Sequence, residues 1–278
     1  MSNTTSSNKQ ILVIGATGKT GRRILQRLKD RNISSLGVSF SSTPSFDWNN
    51  KATWEVVLNN IDAVYISYYP DLAIPGAVDS VAQFSNLAVK KGVQKLVLLS
   101  GRGEAEAKRC EEVVMDAGVD WTIVRASWFC QNFSEGNFLE PIQAGHVALP
   151  AGDIGEPFVD ADDIADLAVA ALTEAGHSKK VYEVTGPRLL TFKEAIAEIA
   201  KATGRNIKYE QVPAKAYTDL LSEYGLPKDL IWLVNYLFTE VMDGRNESIA
   251  DGVQQALGRK ATDFSEFVKK AAATGVWG

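Results

Sequence analysis

The chain has little of what builds metal centres or disulfide frameworks: its 278 residues include 2 cysteines, 2 histidines and 3 methionines. Two thiols, Cys110 and Cys130, cannot staple a fold, and both sit in apolar patterns that read as packing positions. His146 and His177 lie far apart in polar contexts, outside any i,i+4 or His-x-His pair. They read as solvent-facing side chains, and no metal site is expected. No run of about 18 apolar residues occurs, so nothing is expected to span a membrane. A basic excess is missing too: the net charge is −5, against the positive face that a general nucleic-acid binder needs. Residues 1–9 are rich in Ser, Asn and Thr and lack the apolar stretch of a secretory signal. They are expected as a disordered tail, and the protein as cytoplasmic.

What is present is a regular alternation of apolar runs and amphipathic stretches. Ile11–Ile14 is a continuous apolar run, as in a strand buried on both faces. A helix follows it, with Ile24, Leu25 and Leu28 on one face and Arg22, Arg23, Arg27 and Lys29 on the other. Strands are expected at 35–40, 63–67, 95–99 and 121–124, and helices at 51–59, 76–91 and 105–117. Gly92 and Gly118 stand as helix stops. This order is that of an α/β, doubly wound parallel sheet of the Rossmann type.

Beyond about residue 128 the pattern changes. A mixed loop and helix runs over 129–147, and a helix over 160–172 with Asp160 or Asp162 as N-cap. A strand is expected at 181–184, a capping box Thr191-Phe-Lys-Glu194 opens the next helix, and a short strand follows at 207–212. Leu230, Leu233, Val234, Leu237 and Phe238 suggest one buried helix. Residues 10–150 are thus expected as a nucleotide-binding core. Residues 151–278 are expected to complete it and add a smaller, mainly helical C-terminal lobe over the substrate.

The densest chemical signal is Gly15-Ala-Thr-Gly18-Lys-Thr-Gly21, directly after the first strand and opening the first helix. In such a turn the first glycine allows the sharp bend. The second lets the backbone approach a pyrophosphate, and the third lets helix and strand pack closely. The helix start offers amide donors and a positive partial charge to the phosphates. The acidic residue that usually meets the ribose hydroxyls of NAD is absent: none occurs from Arg31 to Phe46. The strand ends instead in Ser39, Phe40, Ser41, Ser42 and Thr43, with Lys19 and Arg22 as nearby cations. This favours NADP(H) over NAD(H), because no carboxylate repels a 2′-phosphate.

The turn, together with Leu98-Leu-Ser-Gly-Arg-Gly-Glu104, Asp120–Glu135, Pro157–Ala165 and Tyr182–Pro187, resembles the NmrA-like atypical short-chain dehydrogenases. The resemblance runs from Lys9 to Trp277. Trp128, Asn132, Phe133, Ser134 and Glu135 also resemble the ergot-alkaloid reductases of the agroclavine and festuclavine dehydrogenase type. That resemblance implies pyrophosphate contacts from Gly15, Thr17, Gly18, Lys19, Thr20 and Gly21. It implies Ser39, Phe40 and Ser41 at the adenosine ribose, and Ser67, Tyr68 and Tyr69 along the middle of the cofactor. Ser100, Gly101 and Arg102 fall at the nicotinamide ribose. Ser127, Trp128, Phe129, Asn132 and Phe133 are either substrate-pocket lining or core packing.

The Tyr-x-x-x-Lys acid of well-known relatives is missing, since Glu104-Ala-Glu-Ala-Lys108 stands there. Lys108 is either a ribose contact or a solvated charge, and Tyr68 is a weak replacement acid. Tyr217, Tyr224, Trp232, Tyr236 and Phe238 either roof a hydrophobic substrate or form a core cluster. Asp160, Asp162 and Asp163 read as helix capping, not as metal ligands. The expected activity is NAD(P)H-dependent hydride transfer to a small apolar cyclic or aromatic acceptor, an imine or a quinone. An NAD(P)-sensing regulator that works through a protein partner, or an isomerase, is the alternative.

Overall fold

The computed structural model describes residues 10–278; the stretch 1–9, expected as a tail, lies outside them. The chain runs β1 (Gln10–Ile14), α1 (Gly21–Asp30), β2 (Ser35–Val38), α2 (Ala52–Val57), β3 (Ile61–Ile66), α3 (Ala77–Lys90), β4 (Lys95–Gly101), α4 (Ala105–Met115) and β5 (Asp120–Ala126). It continues as α5 (Asn132–Glu135), α6 (Leu139–Gln143), β6 (His146–Leu149), α7 (Ala161–Thr173), β7 (Lys180–Val184), α8 (Phe192–Thr203) and β8 (Lys208–Gln211). The end is helical: α9 (Ala214–Glu223), α10 (Lys228–Tyr236), a π-helical turn Leu237–Val241, α11 (Gly252–Leu257) and α12 (Phe264–Ala273).

Six strands form one sheet in the order β2-β1-β3-β4-β5-β7, with β1–β2, β1–β3 and β3–β4 parallel. From β1 the chain first steps outward to β2, then crosses back to β3 and onward. The direction of winding therefore reverses at the β1/β3 pair, the place where α/β sheets hold ligands beyond their strand ends. The expected doubly wound, Rossmann-type sheet is what the chain builds.

Residue contacts divide the chain into two compact units. One holds the chain up to Ser100 with Glu106–Val124 and Ala165–Tyr182; the other holds Gly101–Ala105, Arg125–Ile164 and Glu183–Gly278. In the first, Leu12, Val13 and Ile14 are at most 1% exposed, as a strand covered on both faces requires. Beside them Phe46, Trp48, Trp54 and Phe84 pack mostly edge to face, with Trp48 and Phe84 centroids 5.4 Å apart. Helix α1 buries Ile24 and Leu28 and keeps its arginines outward, where Arg27 pairs with Asp166 at 2.5 Å and Arg31 with Glu174 at 2.9 Å.

The second unit has its own aromatic core. Phe133, Phe158, Phe192 and Phe264 are buried, with centroids 5.1 Å (Phe158–Phe192) to 5.8 Å (Phe133–Phe192) apart. Trp277 closes it by donating its indole N–H to the Phe133 carbonyl at 2.8 Å. The Thr191 capping box forms with both reciprocal bonds. Strand β6, which starts at the end of the stretch expected as loop and helix, pairs in parallel with β8.

Three sequence expectations need correction. His177 is buried, not solvent-facing: its ring meets the Tyr182 hydroxyl at 3.0 Å, and its carbonyl accepts from Thr122 at 2.8 Å. These partners let a polar ring turn inward, and burial holds its pKa down. The segment around Leu230 is not one buried helix. It changes from α10 to the π-helical turn, and of its five apolar positions only Leu233 and Phe238 are buried. Tyr224 and Trp232 lie outside any core, 74% and 44% exposed, with Trp232 stacked on Tyr236. Cys110 and Cys130 are both buried and form no disulfide, as packing positions should.

Candidate functional site

Gly15 leaves β1 with φ +78°, a conformation that L side chains rarely adopt, and a Cβ there would lie 3.3 Å from the Ser67 Cβ. The ends of β1 and β3 thus meet at this glycine. The amides of Gly15 and Ala16 both donate to the Val38 carbonyl at 3.0 Å, which brings the end of β2 to the same place. Gly21 sits so tightly on the turn that a Cβ would fall 2.1 Å from the Gly15 carbonyl oxygen. Gly18 differs: its Cβ would meet only the Gly15 oxygen, at 3.2 Å, and both Thr17 and Gly18 are exposed. The first turn of α1 carries no acidic residue, and no side chain caps it. An anion therefore finds a bare backbone surface, an open helix start and no competing carboxylate. The turn fits a dinucleotide pyrophosphate.

The side chains around this turn are not all placed as expected. Thr20 is buried, and its hydroxyl accepts from the Tyr65 hydroxyl at 2.9 Å, so it reaches any phosphate through its backbone alone. Burial pushes the Tyr65 phenol well above its usual range, which keeps it a donor. At the end of β2, Phe40 is 79% exposed, and the Ser39 and Ser41 hydroxyl oxygens lie 3.4 Å apart. Ser42 is used within the loop: its hydroxyl donates to the carbonyls of Ser39 and Pro44 at 2.9 and 2.7 Å and accepts the Ser39 amide at 2.8 Å.

Ser67 accepts the Trp48 indole N–H on its carbonyl at 3.2 Å, and Tyr68 leans on the same ring with centroids 4.7 Å apart. Burial raises the Tyr68 phenol pKa, and a bond with Ser80 opposes that. The packing and the raised pKa make Tyr68 a structural phenol more than a ready acid. Tyr69 is 77% exposed. Trp48, which holds this edge in place, carries no motif that marks it in the sequence.

Farther along the sheet, Ser100 is buried and donates to the Glu111 carboxylate at 2.6 Å. Gly101 packs so closely under Glu104 that a Cβ would lie 2.0 Å from its Oε1. Lys108 is exposed on α4, where the solvated-charge reading fits. Arg102, expected at a nicotinamide ribose, is engaged within the protein. Its guanidinium donates to Glu183 at 3.3 Å, to the Asn246 and Ser248 carbonyls at 3.0 and 2.7 Å, and to the Ser248 hydroxyl at 2.6 Å. Arg102 ties the loop before α11, and a guanidinium so fully engaged has few donors left for a ligand.

The chain after β5 separates the expected pocket residues. Phe133 is fully buried among Phe138, Phe158, Phe192 and Phe264, which makes it core and not pocket wall. Trp128, Phe129 and Asn132 are half-buried. Trp128 packs on Phe192 and on Phe238, its centroid 5.1 Å from that of Phe238. Tyr217 reaches the same Phe238 edge-on, 5.9 Å away.

Ser127 is 4% exposed, and its hydroxyl meets no hydrogen-bond partner among the described residues. Next to it lies a residue with no sequence signal. Glu156 is 2% exposed, its carboxylate accepts the Trp128 amide at 3.3 Å, and burial pushes its pKa up to about 7. The acidic run at α7 does more than cap. Asp160 accepts the Asp162 amide at 2.8 Å and Gln131 at 2.7 Å, while Asp163 accepts from Arg259 at 2.6 Å and from Thr262. Among the described residues, no three His, Cys, Asp or Glu gather as a metal site.

Known proteins bear on this arrangement. The chain is 27% identical to "Prestalk A differentiation protein A" of Dictyostelium discoideum, over 96% of this chain and 94% of that one. It is 27% identical to an NAD(P)H azoreductase of Xenophilus azovorans (95% and 98% covered) and 29% identical to an agroclavine dehydrogenase of Claviceps fusiformis (93% and 96%). The fold matches the triphenylmethane reductase of Citrobacter sp. complexed with NADP(H), with a TM-score of 0.78 at 17% identity over 94% of this chain and 99% of that one. It matches an NADPH-dependent quinone oxidoreductase of Escherichia coli equally well, with a TM-score of 0.78 at 20% identity and the same coverage. The family profile described as NmrA-like matches residues 105–268. On the glycine-rich turn at the β1/β3 switch, the sheet order and this match, the chain belongs to the NmrA-like family.

Proposed function

We propose that the protein is an NADPH-dependent reductase that passes hydride to a small, apolar cyclic or aromatic acceptor. The observation that carries this is the turn itself: Gly18 exposed, Gly15 at positive φ against Ser67, and an α1 start that no acidic side chain occupies. A bound dihydronicotinamide supplies the hydride, and the protein's part is binding, orientation and exclusion of water. Gly15, Gly18, Gly21 and the backbone of Thr17, Lys19 and Thr20 hold the pyrophosphate. Phe40 offers an exposed ring to the adenine, and the Ser39 and Ser41 hydroxyls take the 2′-phosphate, with no carboxylate between Ser39 and Phe46 to repel it. Ser127, Trp128, Phe129 and Asn132 meet the acceptor.

Several relatives are named as reductases or dehydrogenases of azo, dye, quinone or clavine compounds, which supports this choice of reaction class. The test follows loss of the dihydronicotinamide absorbance with a panel of quinones, azo compounds and cyclic iminium ions. Turnover with NADPH on at least one class is expected. Tight NADPH binding with no turnover on any would point to a nucleotide-sensing protein, and product formation without cofactor consumption to an isomerase.

A further inference from the structure

We propose that Ser42 sets the preference for a 2′-phosphate without touching it, by bracing the turn that presents the Ser39 and Ser41 hydroxyls. The inference rests on the reading of those two hydroxyls as the 2′-phosphate contacts, and adds the residue that holds them in place. Every group it uses lies in the first compact unit.

Positions 39–45 carry four serines and one threonine, which look alike in sequence. The structure sorts them. Ser39–Ser42 is a tight turn closed by the Ser42 amide, which donates to the Ser39 carbonyl at 3.3 Å. The Ser42 side chain closes the same turn from the other direction. Its Oγ accepts the Ser39 amide at 2.8 Å, and its one proton is shared between the Ser39 and Pro44 carbonyls at 2.9 and 2.7 Å. Ser45 ties the tip by donating to the Phe40 carbonyl at 3.1 Å. Ser42 and Ser45 are thus used within the loop. The Ser39 and Ser41 hydroxyls are not: among the described residues their oxygens meet only each other, at 3.4 Å. Two hydroxyls that close form a paired donor for the oxygens of a single phosphate, where hydrogen bonds to a charged acceptor are strongest.

Both ends of the loop are fixed to the core. Val38 precedes it on β2 and is fully buried, and Phe46 follows it, 3% exposed, with its amide on the Ser39 carbonyl at 2.9 Å. Only the stretch between them has freedom to lose, and three of the hydrogen bonds across it are made by the Ser42 hydroxyl. Asp47, the first carboxylate beyond, accepts the Asn49 amide at 2.9 Å within its own turn.

Without the Ser42 hydroxyl the turn keeps one long backbone bond, and the Ser39 amide loses its acceptor. Two hydroxyls gathered into one geometry only on binding lose conformational entropy at that moment, whereas a braced turn has lost it already on folding. NADH has no 2′-phosphate, so its binding does not draw on this geometry. The adenine meets Phe40 by surface contact, without the angular demand of a hydrogen bond.

The test is Ser42→Ala, shown to be folded by circular dichroism and titrated with NADPH and NADH beside wild type. The Kd for NADPH is expected to rise about tenfold, the scale of one net hydrogen bond, with that for NADH little changed. Ser42→Thr keeps the hydroxyl and should restore most of the NADPH affinity. In a Ser39→Ala/Ser41→Ala background, Ser42→Ala should no longer distinguish the two dinucleotides. Undiminished NADPH preference in Ser42→Ala, or equal losses for NADPH and NADH, overturns the proposal.

Amide exchange in the cofactor-free protein reads the brace independently. The Ser39 amide should be protected in wild type and not in Ser42→Ala, and free exchange of that amide in wild type overturns the proposal. Wild type that binds NADPH no tighter than NADH overturns the 2′-phosphate reading itself, and the proposal with it.

Discussion

Gly18 and Gly21 sit three residues apart in one turn and serve different ends. A Cβ on Gly21 would enter the Gly15 carbonyl, so Gly21→Ala is expected to destabilise the fold by about 1–3 kcal/mol, as overpacking does. At Gly18 only one atom would be approached, at 3.2 Å, so Gly18→Ala should leave stability within about 1 kcal/mol while weakening NADPH binding. Urea unfolding and cofactor titration of both variants check this, and equal stability losses would contradict it. Ser39→Asp puts the missing carboxylate at the end of β2. It is expected to lower NADPH affinity at least about tenfold relative to NADH, read by parallel titrations.

Glu156 makes a second residue-scale expectation, this time for stability. Its folded pKa, about 7, lies above the unfolded carboxylate range, so between those values the folded state binds the extra proton. Its contribution is therefore full at low pH and declines as pH rises through about 7, a change on the order of 3 kcal/mol. The difference in stability between wild type and Glu156→Gln should follow that window, and a flat difference would contradict it. Nothing local in the sequence marks Glu156, because its burial is set by Trp128 and Leu190, far along the chain. Arg102 was legible as a charged residue at a strand end but not as a loop tie, since Asn246 and Ser248 stand more than a hundred positions later.

Elements differ in how far their own sequence fixes them. β1, its turn and α1 were readable because every determinant is within about 20 residues: an apolar run, spaced glycines and a 3.6-residue period. The Thr191 capping box is equally local, with Glu194 reaching back to the Thr191 amide at 2.8 Å. Thr191→Ala is expected to cost about 1 kcal/mol and to shift the urea midpoint without changing the slope. An unchanged midpoint would show that α8 is held by packing alone. Strand β6 was not readable, since four residues pair only with β8, about 60 positions on. The period around Leu230 correctly indicated a helix but could not say how much covers it: α9 has no buried residue, and α10 has one.

At the scale of the whole chain, two separate aromatic cores stabilise the two units, and the ligand is expected to act on top of them. A dinucleotide that binds only the folded state adds about 2.7 kcal/mol at a concentration a hundredfold above its Kd. For a chain of this size that corresponds to a rise in Tm of several degrees. In the proposed function, phosphates dock on the exposed backbone of the Gly15–Gly21 turn. Titration calorimetry of NADPH against wild type and Gly18→Val, each first shown to be folded by circular dichroism, tests it most directly. Saturable one-site binding to wild type and none to Gly18→Val is the expected result. No heat of binding to wild type at millimolar NADPH or NADH, or undiminished binding to a folded Gly18→Val, would contradict it.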